Sequence, residues 1–73
     1  MNSNFKKLLS DKGFIETSYN HFHVSTLKNS YNRLEVFMNP QGLYQVNITD
    51  DEFNIKEEYI LENEEEVLQL LNN

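Results

Sequence analysis

The chain contains no cysteine, no tryptophan and no alanine, and only one proline, one arginine and two glycines. Without cysteine, neither a disulfide nor a thiolate metal site can supplement the core. The same lack fits a cytoplasmic setting. No apolar run exceeds three residues, as in Val36-Phe37-Met38 and Tyr59-Ile60-Leu61, whereas a membrane helix needs roughly 20. The opening stretch "MNSNFKKLLSDKG" offers no apolar core for a signal peptide. There is no Ser/His/Asp grouping, no Gly-rich phosphate loop and no HExxH, and neither histidine stands beside a candidate nucleophile. These absences lead us to expect a protein that is not an enzyme, needs no cofactor and touches no membrane.

What is present is one short, acidic, asparagine-rich chain. Seventy-three residues make a single small domain, and a chain of that size buries only about 60% of its unfolded surface. Eleven asparagines and the general use of residues with AT-rich codons point to a low-GC bacterial host, or a phage or other mobile element within one. Charge is uneven. Residues 1–36 carry five bases and three acids, so +2, while residues 37–73 carry one base and nine acids, so −8, giving the total of −6. Such a field repels phosphate backbones and steers towards basic partners.

The pattern predicts an α+β fold: an N-terminal helix, a four- or five-stranded antiparallel meander, and a C-terminal helix, with both helices on one sheet face. Phe5, Leu8 and Leu9 share a helical face over 4–12, with Ser3 or Asn4 as cap and Gly13 as the stop. In "FMNPQGLY", Pro40 and Gln41 suit a type I turn and Gly42 the left-handed residue after it. That hairpin pairs Asn39 with Leu43, Met38 with Tyr44, Val36 with Val46 and Leu34 with Ile48. A slip of one residue would scatter these apolar residues over both faces. Extended outward, the pairing sets Leu27 against Tyr31, Val24 against Leu34 and Phe22 against Val36. A turn at Asp50-Asp51 would set Ile48 against Phe53 and Val46 against Ile55, giving strands near 20–27, 31–39, 43–49 and 52–58. Residues 14–19 are either a separate first strand or the start of a long bent one. Asn63 and Glu66 have the spacing of a capping box ahead of Val67, Leu68, Leu70 and Leu71.

Three groups of residues bear on function. His21, His23 and Glu35 would share the open face. Two imidazoles and a carboxylate are the ligand set of a facial metal triad, but a cross-strand His–Glu pair explains them more simply, and no metal is expected. Phe37 stands on that face among polar residues, where an aromatic can anchor a protein or stack a base. The third group is the run Asp50, Asp51, Glu52, Glu57, Glu58, Glu62, Glu64, Glu65 and Glu66. Each acid has a local explanation: turn residues at Asp50 and Asp51, edge protection at Glu52 and Glu58, and a helix N-terminus at Glu64 to Glu66. Their sum, nine acids in seventeen residues, exceeds what those roles require.

Two family resemblances accompany these residues. The order helix, strands, helix resembles a double-stranded RNA-binding domain. That likeness implies phosphate-reading lysines at the start of the last helix, where this chain has Glu64, Glu65 and Glu66. Residues 5–24, "FKKLLSDKGFIETSYNHFHV", resemble the front of HicA-type toxins, which are basic ribonucleases. This likeness implies a small ribonuclease centred on His21 and His23, although Tyr19-Asn20-His21 stands in place of the Gly-Ser-His motif of that family. In size, charge and composition the chain is also similar to acidic inhibitors of mobile elements, such as anti-CRISPR and anti-restriction proteins that act as DNA mimics. The leading expectation is a small acidic non-catalytic binding or inhibitor protein. It would occupy a basic, nucleic-acid-binding-type site on a partner protein through Asp50, Asp51, Glu52, Glu57, Glu58, Glu62, Glu64, Glu65 and Phe37. The alternatives are a nucleic-acid module on the open sheet face and the HicA-like ribonuclease.

Overall fold

The "MNPQGL" hairpin sets the register of the two central strands it joins. The Asn39 N–H donates to the Leu43 carbonyl at 2.8 Å and the Gly42 N–H to the Asn39 carbonyl at 2.9 Å. The Asn39 side-chain oxygen accepts from the N–H groups of Gln41 and Leu43, each at 3.0 Å. Gly42 has φ +81°, which only glycine adopts at no steric cost. The structure, a computed structural model, describes residues 1–25, 33–50 and 52–72. It consists of α1 (Ser3–Asp11), β1 (Ile15–Ser18), β2 (His21–Ser25), β3 (Arg33–Met38), β4 (Tyr44–Thr49), β5 (Ile55–Leu61) and α2 (Glu64–Leu71). The strands form one antiparallel sheet in the order β1-β2-β3-β4-β5.

Pairing across the centre of the sheet follows the apolar pattern. Val36 faces Val46 and Phe22, Leu34 faces Ile48 and Val24, and Met38 faces Tyr44. Both helices cover this face, so Phe5 and Leu9 of α1 and Val67 of α2 join Phe22, Val36 and Val46 in one buried cluster with Phe14. Leu9, Val36 and Val67 are fully buried. The Phe5 ring meets Tyr44 edge-on at 5.7 Å. The helix starts are capped as side-chain chemistry dictates: Asn2, one position ahead of the expected residues, accepts from the Asn4 N–H, and Asn63 accepts from the Glu66 N–H. Glu66 in turn accepts from the Glu62 N–H at 3.3 Å, one residue before the cap.

Residues 15–18 form a strand of their own. The chain reverses through Tyr19 and Asn20, with Asn20 at φ 57°, and the pairing of β1 with β2 shifts between Glu16 and Ser18. The expected Leu27–Tyr31 pair lies outside the described residues.

The last strand corrects the sequence reading. Val46 faces Tyr59 rather than Ile55, Ile48 faces Glu57 rather than Phe53, and Thr49 faces Ile55 after a register shift. The cause is Asp50. Its carboxylate accepts from the N–H groups of Glu52 and Asn54, both at 2.9 Å. Its own N–H donates to the Asn54 carbonyl at 3.0 Å, and the Phe53 N–H donates back to the Asp50 carbonyl at 3.1 Å. An aspartate that satisfies several backbone donors builds a loop reaching to Asn54 rather than a two-residue turn. Tyr59 and Leu61 therefore pack against the core. Phe53 and Ile55, expected in the core, are exposed at 63% and 55%.

Candidate partner-binding surface

The open face is built in cross-strand rows. One runs Ile15, His23, Glu35, Asn47, Glu58, and the next runs Ser18, His21, Phe37, Gln45, Ile60. His23 lies opposite Glu35 and His21 opposite Phe37, as the hairpin register predicts. The hydrogen bond, however, is diagonal: His21 Nε2 lies 2.8 Å from a Glu35 carboxylate oxygen. The His21 ring stacks on Phe37 at 4.9 Å and 16°. Among the described residues no three His, Cys, Asp or Glu side chains group closely enough to hold a metal ion. Phe37 is half-buried beneath its neighbours rather than projecting as a free platform.

The middle of this face is covered by its own side chains. Asn47 and Thr49 are 5% and 1% exposed although no helix lies over them. Amide groups link Gln45 to Asn47 at 3.0 Å. Arg33, opposite Thr49, places its guanidinium 4.4 Å from the centre of the Phe53 ring. That contact offsets part of the strain of Phe53, whose φ of 67° is unusual for an aromatic residue. The one arginine of the chain is thus engaged with a neighbour.

The acids sort into two classes. Some are held by the fold. Asp50 holds its loop, and the Asn54 N–H, foremost among its donors, keeps its carboxyl below the usual aspartate range. Lys56 stands 3.7 Å from it. Glu64 accepts from the Tyr44 hydroxyl at 2.7 Å and from the Asn2 N–H at 3.0 Å, tying the starts of both helices together. Burial, assisted by the Glu64 carboxylate, pushes the Tyr44 hydroxyl up to about 12. Glu57 lies on the helix side of the sheet and accepts from the Tyr59 hydroxyl at 3.0 Å. Glu66 belongs to the cap.

Glu52, Glu58, Glu62 and Glu65 form the other class. All four are exposed. Among the described residues the ion pairs are Lys6–Glu16, His21–Glu35 and Lys56–Asp50, so none of the four carboxylates has a cation within 4.0 Å. Asp51 lies outside the described residues.

The placement differs from an acidic patch at one end of the domain. Asp50 and Glu52 sit before β5, and Glu62, Glu64 and Glu65 after it. Six steps of about 3.4 Å separate the ends of that strand, so the acids form a band roughly 20 Å long. Phe37 lies two strands away, at about 9.6 Å, joined to the band through Gln45 and Ile60. An open depression of about 690 Å³ lined by Tyr44, Glu62, Glu64 and Glu65 marks the far end.

Sequence reasoning missed the apolar part of this edge. Ile60 and Ile55, 46% and 55% exposed, share the open side with Glu58. The signal available was Asp50 with Asn54, a pair suited to closing a longer loop. No protein-family model, curated protein or solved structure matches the chain.

Proposed function

We propose that this chain is a small, non-catalytic, acidic binding protein that occupies a basic, nucleic-acid-binding-type site on a partner protein. We place it in the cytoplasm of a low-GC bacterial host, with a phage or other mobile element as its source. The observation that supports this reading is the set Glu52, Glu58, Glu62 and Glu65: four exposed carboxylates on the edge strand β5 and on the segments that flank it, none with a cation among the described residues. Desolvation and neutralisation of such groups are left for a partner to supply. The opposite balance, free cations over an open aromatic platform, would favour nucleic acid. Here Arg33 lies on Phe53 and Phe37 is stacked on His21.

The test has two arms. Mobility-shift titrations at physiological salt are expected to show no binding of single- or double-stranded oligonucleotides by the protein itself. Immobilised protein is expected to retain a host protein that a double-stranded oligonucleotide displaces and sodium chloride of equal ionic strength does not. The variant with Glu52, Glu58, Glu62 and Glu65 all changed to Lys is expected to retain none. Micromolar binding of an oligonucleotide by the protein itself would transfer the function to the open sheet face.

A further inference from the structure

The two edges of the sheet are unequal. β1 is four residues long, and its pairing with β2 is interrupted between Glu16 and Ser18. β5 is seven residues long, bonds to β4 alone among the described strands, and keeps an unbroken register from Glu57 to Leu61. Alternate backbone N–H and C=O groups along that stretch face outward without a strand to receive them. Edge strands are usually blunted by brevity, a bulge, proline or charge. β5 has a register shift near its start, between Ile55 and Glu57, but from Glu57 to Leu61 it has only its glutamates, and beside Glu58 on the same side the strand exposes Ile55 and Ile60.

We propose that the outer edge of β5 is a strand-addition site for an extended segment of the partner protein, taken antiparallel, that reads apolar-apolar-any-basic-basic. This rests on the acidic-binding reading and adds to it the backbone geometry and sequence order of the bound segment. The order follows from the residues that an added strand must face. Running antiparallel, it meets Leu61, Ile60, Tyr59, Glu58 and Glu57 in turn. Its first two residues lie beside Leu61 on the helix side and Ile60 on the open side, where apolar side chains extend the existing surfaces. Its last two lie beside Glu58 and Glu57, one on each side of the sheet, where Lys or Arg supplies the missing charge. Cross-strand pairs of both kinds are favourable, and main-chain hydrogen bonds provide the rest of the affinity. A second copy of this chain is a poorer occupant, because pairing about the middle of β5 sets Glu58 against Glu58, and like charges directly opposite destabilise a sheet.

The experiment uses the full chain, isotope-labelled, and two synthetic peptides of identical composition. One is acetyl-Thr-Val-Val-Thr-Lys-Lys-Thr-amide, and the other has the same seven residues in reverse order. Binding is followed by amide chemical shifts, and backbone hydrogen exchange is measured along β5. The forward peptide is expected to bind at least about tenfold more tightly than the reversed one and to slow exchange at β5 amides between Glu57 and Leu61. Replacing Glu58 by Lys is expected to abolish the preference, and a forward peptide carrying Glu at the first Lys position is expected to restore it. Equal binding of the two peptides, lost at high salt, would overturn strand addition and leave the electrostatic reading standing. Binding of neither peptide would overturn strand addition. If oligolysine also fails to bind at low salt, the acidic-binding reading falls with it. Concentration-dependent self-association with slowed β5 exchange in the absence of peptide would assign the edge to a second copy and overturn the proposal.

Discussion

At the β1 edge the single carboxylate is held by its neighbours. Glu16 accepts from the Asn20 N–H at 2.9 Å and from Lys6 at 3.2 Å, and Lys6 also lies 4.5 Å from the Tyr19 ring centre. The strand is short and its register slips at the turn. At the β5 edge the strand is longer, and the carboxylates of Glu52, Glu58, Glu62 and Glu65 have no cation near them among the described residues. Both edges meet the same hazard of uncontrolled strand pairing. The first meets it with a short, interrupted strand whose one carboxylate is held by Lys6 and Asn20. The second meets it with unneutralised charge, which repels most strands and admits one that brings opposite charge. The comparison separates acids that serve the fold from acids that the fold does not use.

The largest effect should come from the layer that holds both edges in place. Leu9 of α1 is fully buried against the cluster that contains Phe22, Val36, Val46 and Val67. Leu9→Ala should cost about 2–5 kcal/mol in urea unfolding, from lost transfer energy and the cavity left behind. Hydrogen exchange should show both edges losing protection together. Loss confined to β1 and β2 would mean that the two edges unfold as separate units, and the comparison would have to be drawn between subdomains.

A smaller loss is expected at the α2 start, which follows β5 directly. Asn63 accepts from the Glu66 N–H at 2.9 Å, and Asn63→Ala should cost about 1 kcal/mol. Exchange should quicken in α2 while the β1 edge stays unchanged. An equal quickening at β1 would show that the two ends of the sheet are coupled more tightly than the separate edge networks imply.

The pH dependence sharpens the contrast in another way. Glu16 and Asp50 both have carboxyls below their ordinary values, each chiefly because a backbone N–H donates to it, from Asn20 and Asn54 respectively. A depressed folded pKa means that the unfolded chain binds the proton first. The stability these groups contribute is therefore present above their unfolded values of 4.5 and 3.8 and is lost as pH falls through the lower folded values. Glu16→Gln and Asp50→Asn should each flatten the acid limb of a stability profile, one from each edge. Tyr44 acts at the other extreme. Its folded pKa is raised from 10.0 to about 12, so stability should fall as pH rises between those values, and Tyr44→Phe should remove that fall. An unchanged alkaline limb in Tyr44→Phe would mean that in solution the Tyr44 hydroxyl has neither the burial nor the Glu64 bond that raises its pKa.

Most of this architecture was legible in the residues. Leu34, Val36, Val46 and Ile48 fix the central register, because any slip turns them to the wrong face. Asn63 with Glu66 marks the α2 start. The β5 register was not legible, because "IKEEYIL" has apolar residues on both faces and period alone cannot choose between them. The choice is made by Asp50, whose hydrogen bonds to residues 52 and 54 lengthen the loop. The same ambiguity concealed Ile55 and Ile60. The candidate site was legible as charge but not as shape, since a one-dimensional run of acids does not reveal that a seven-residue strand divides it.

The smallest effect on stability is also the one that tests the comparison most directly. Glu58→Lys and Glu62→Lys each add two charges, so the pair moves the net charge from −6 to −2. Neither carboxylate takes part in a hydrogen bond or ion pair among the described residues, so the folded state loses no partner. Self-repulsion along the β5 band is relieved at the same time. The double variant should therefore unfold within about 0.5 kcal/mol of the parent at physiological salt, with any shift towards greater stability. That shift should vanish in strong salt, where the Debye length falls to about 3 Å. Glu16→Lys at the opposite edge adds two charges, half as many, but breaks the Lys6 and Asn20 contacts, and it should destabilise. If the two edges responded alike, the acids of β5 would be structural after all, and their excess would need no partner to explain it. If only the β1 change destabilises, the β5 carboxylates contribute nothing to folding stability that their reversal removes, which is what the proposed partner contact requires of them.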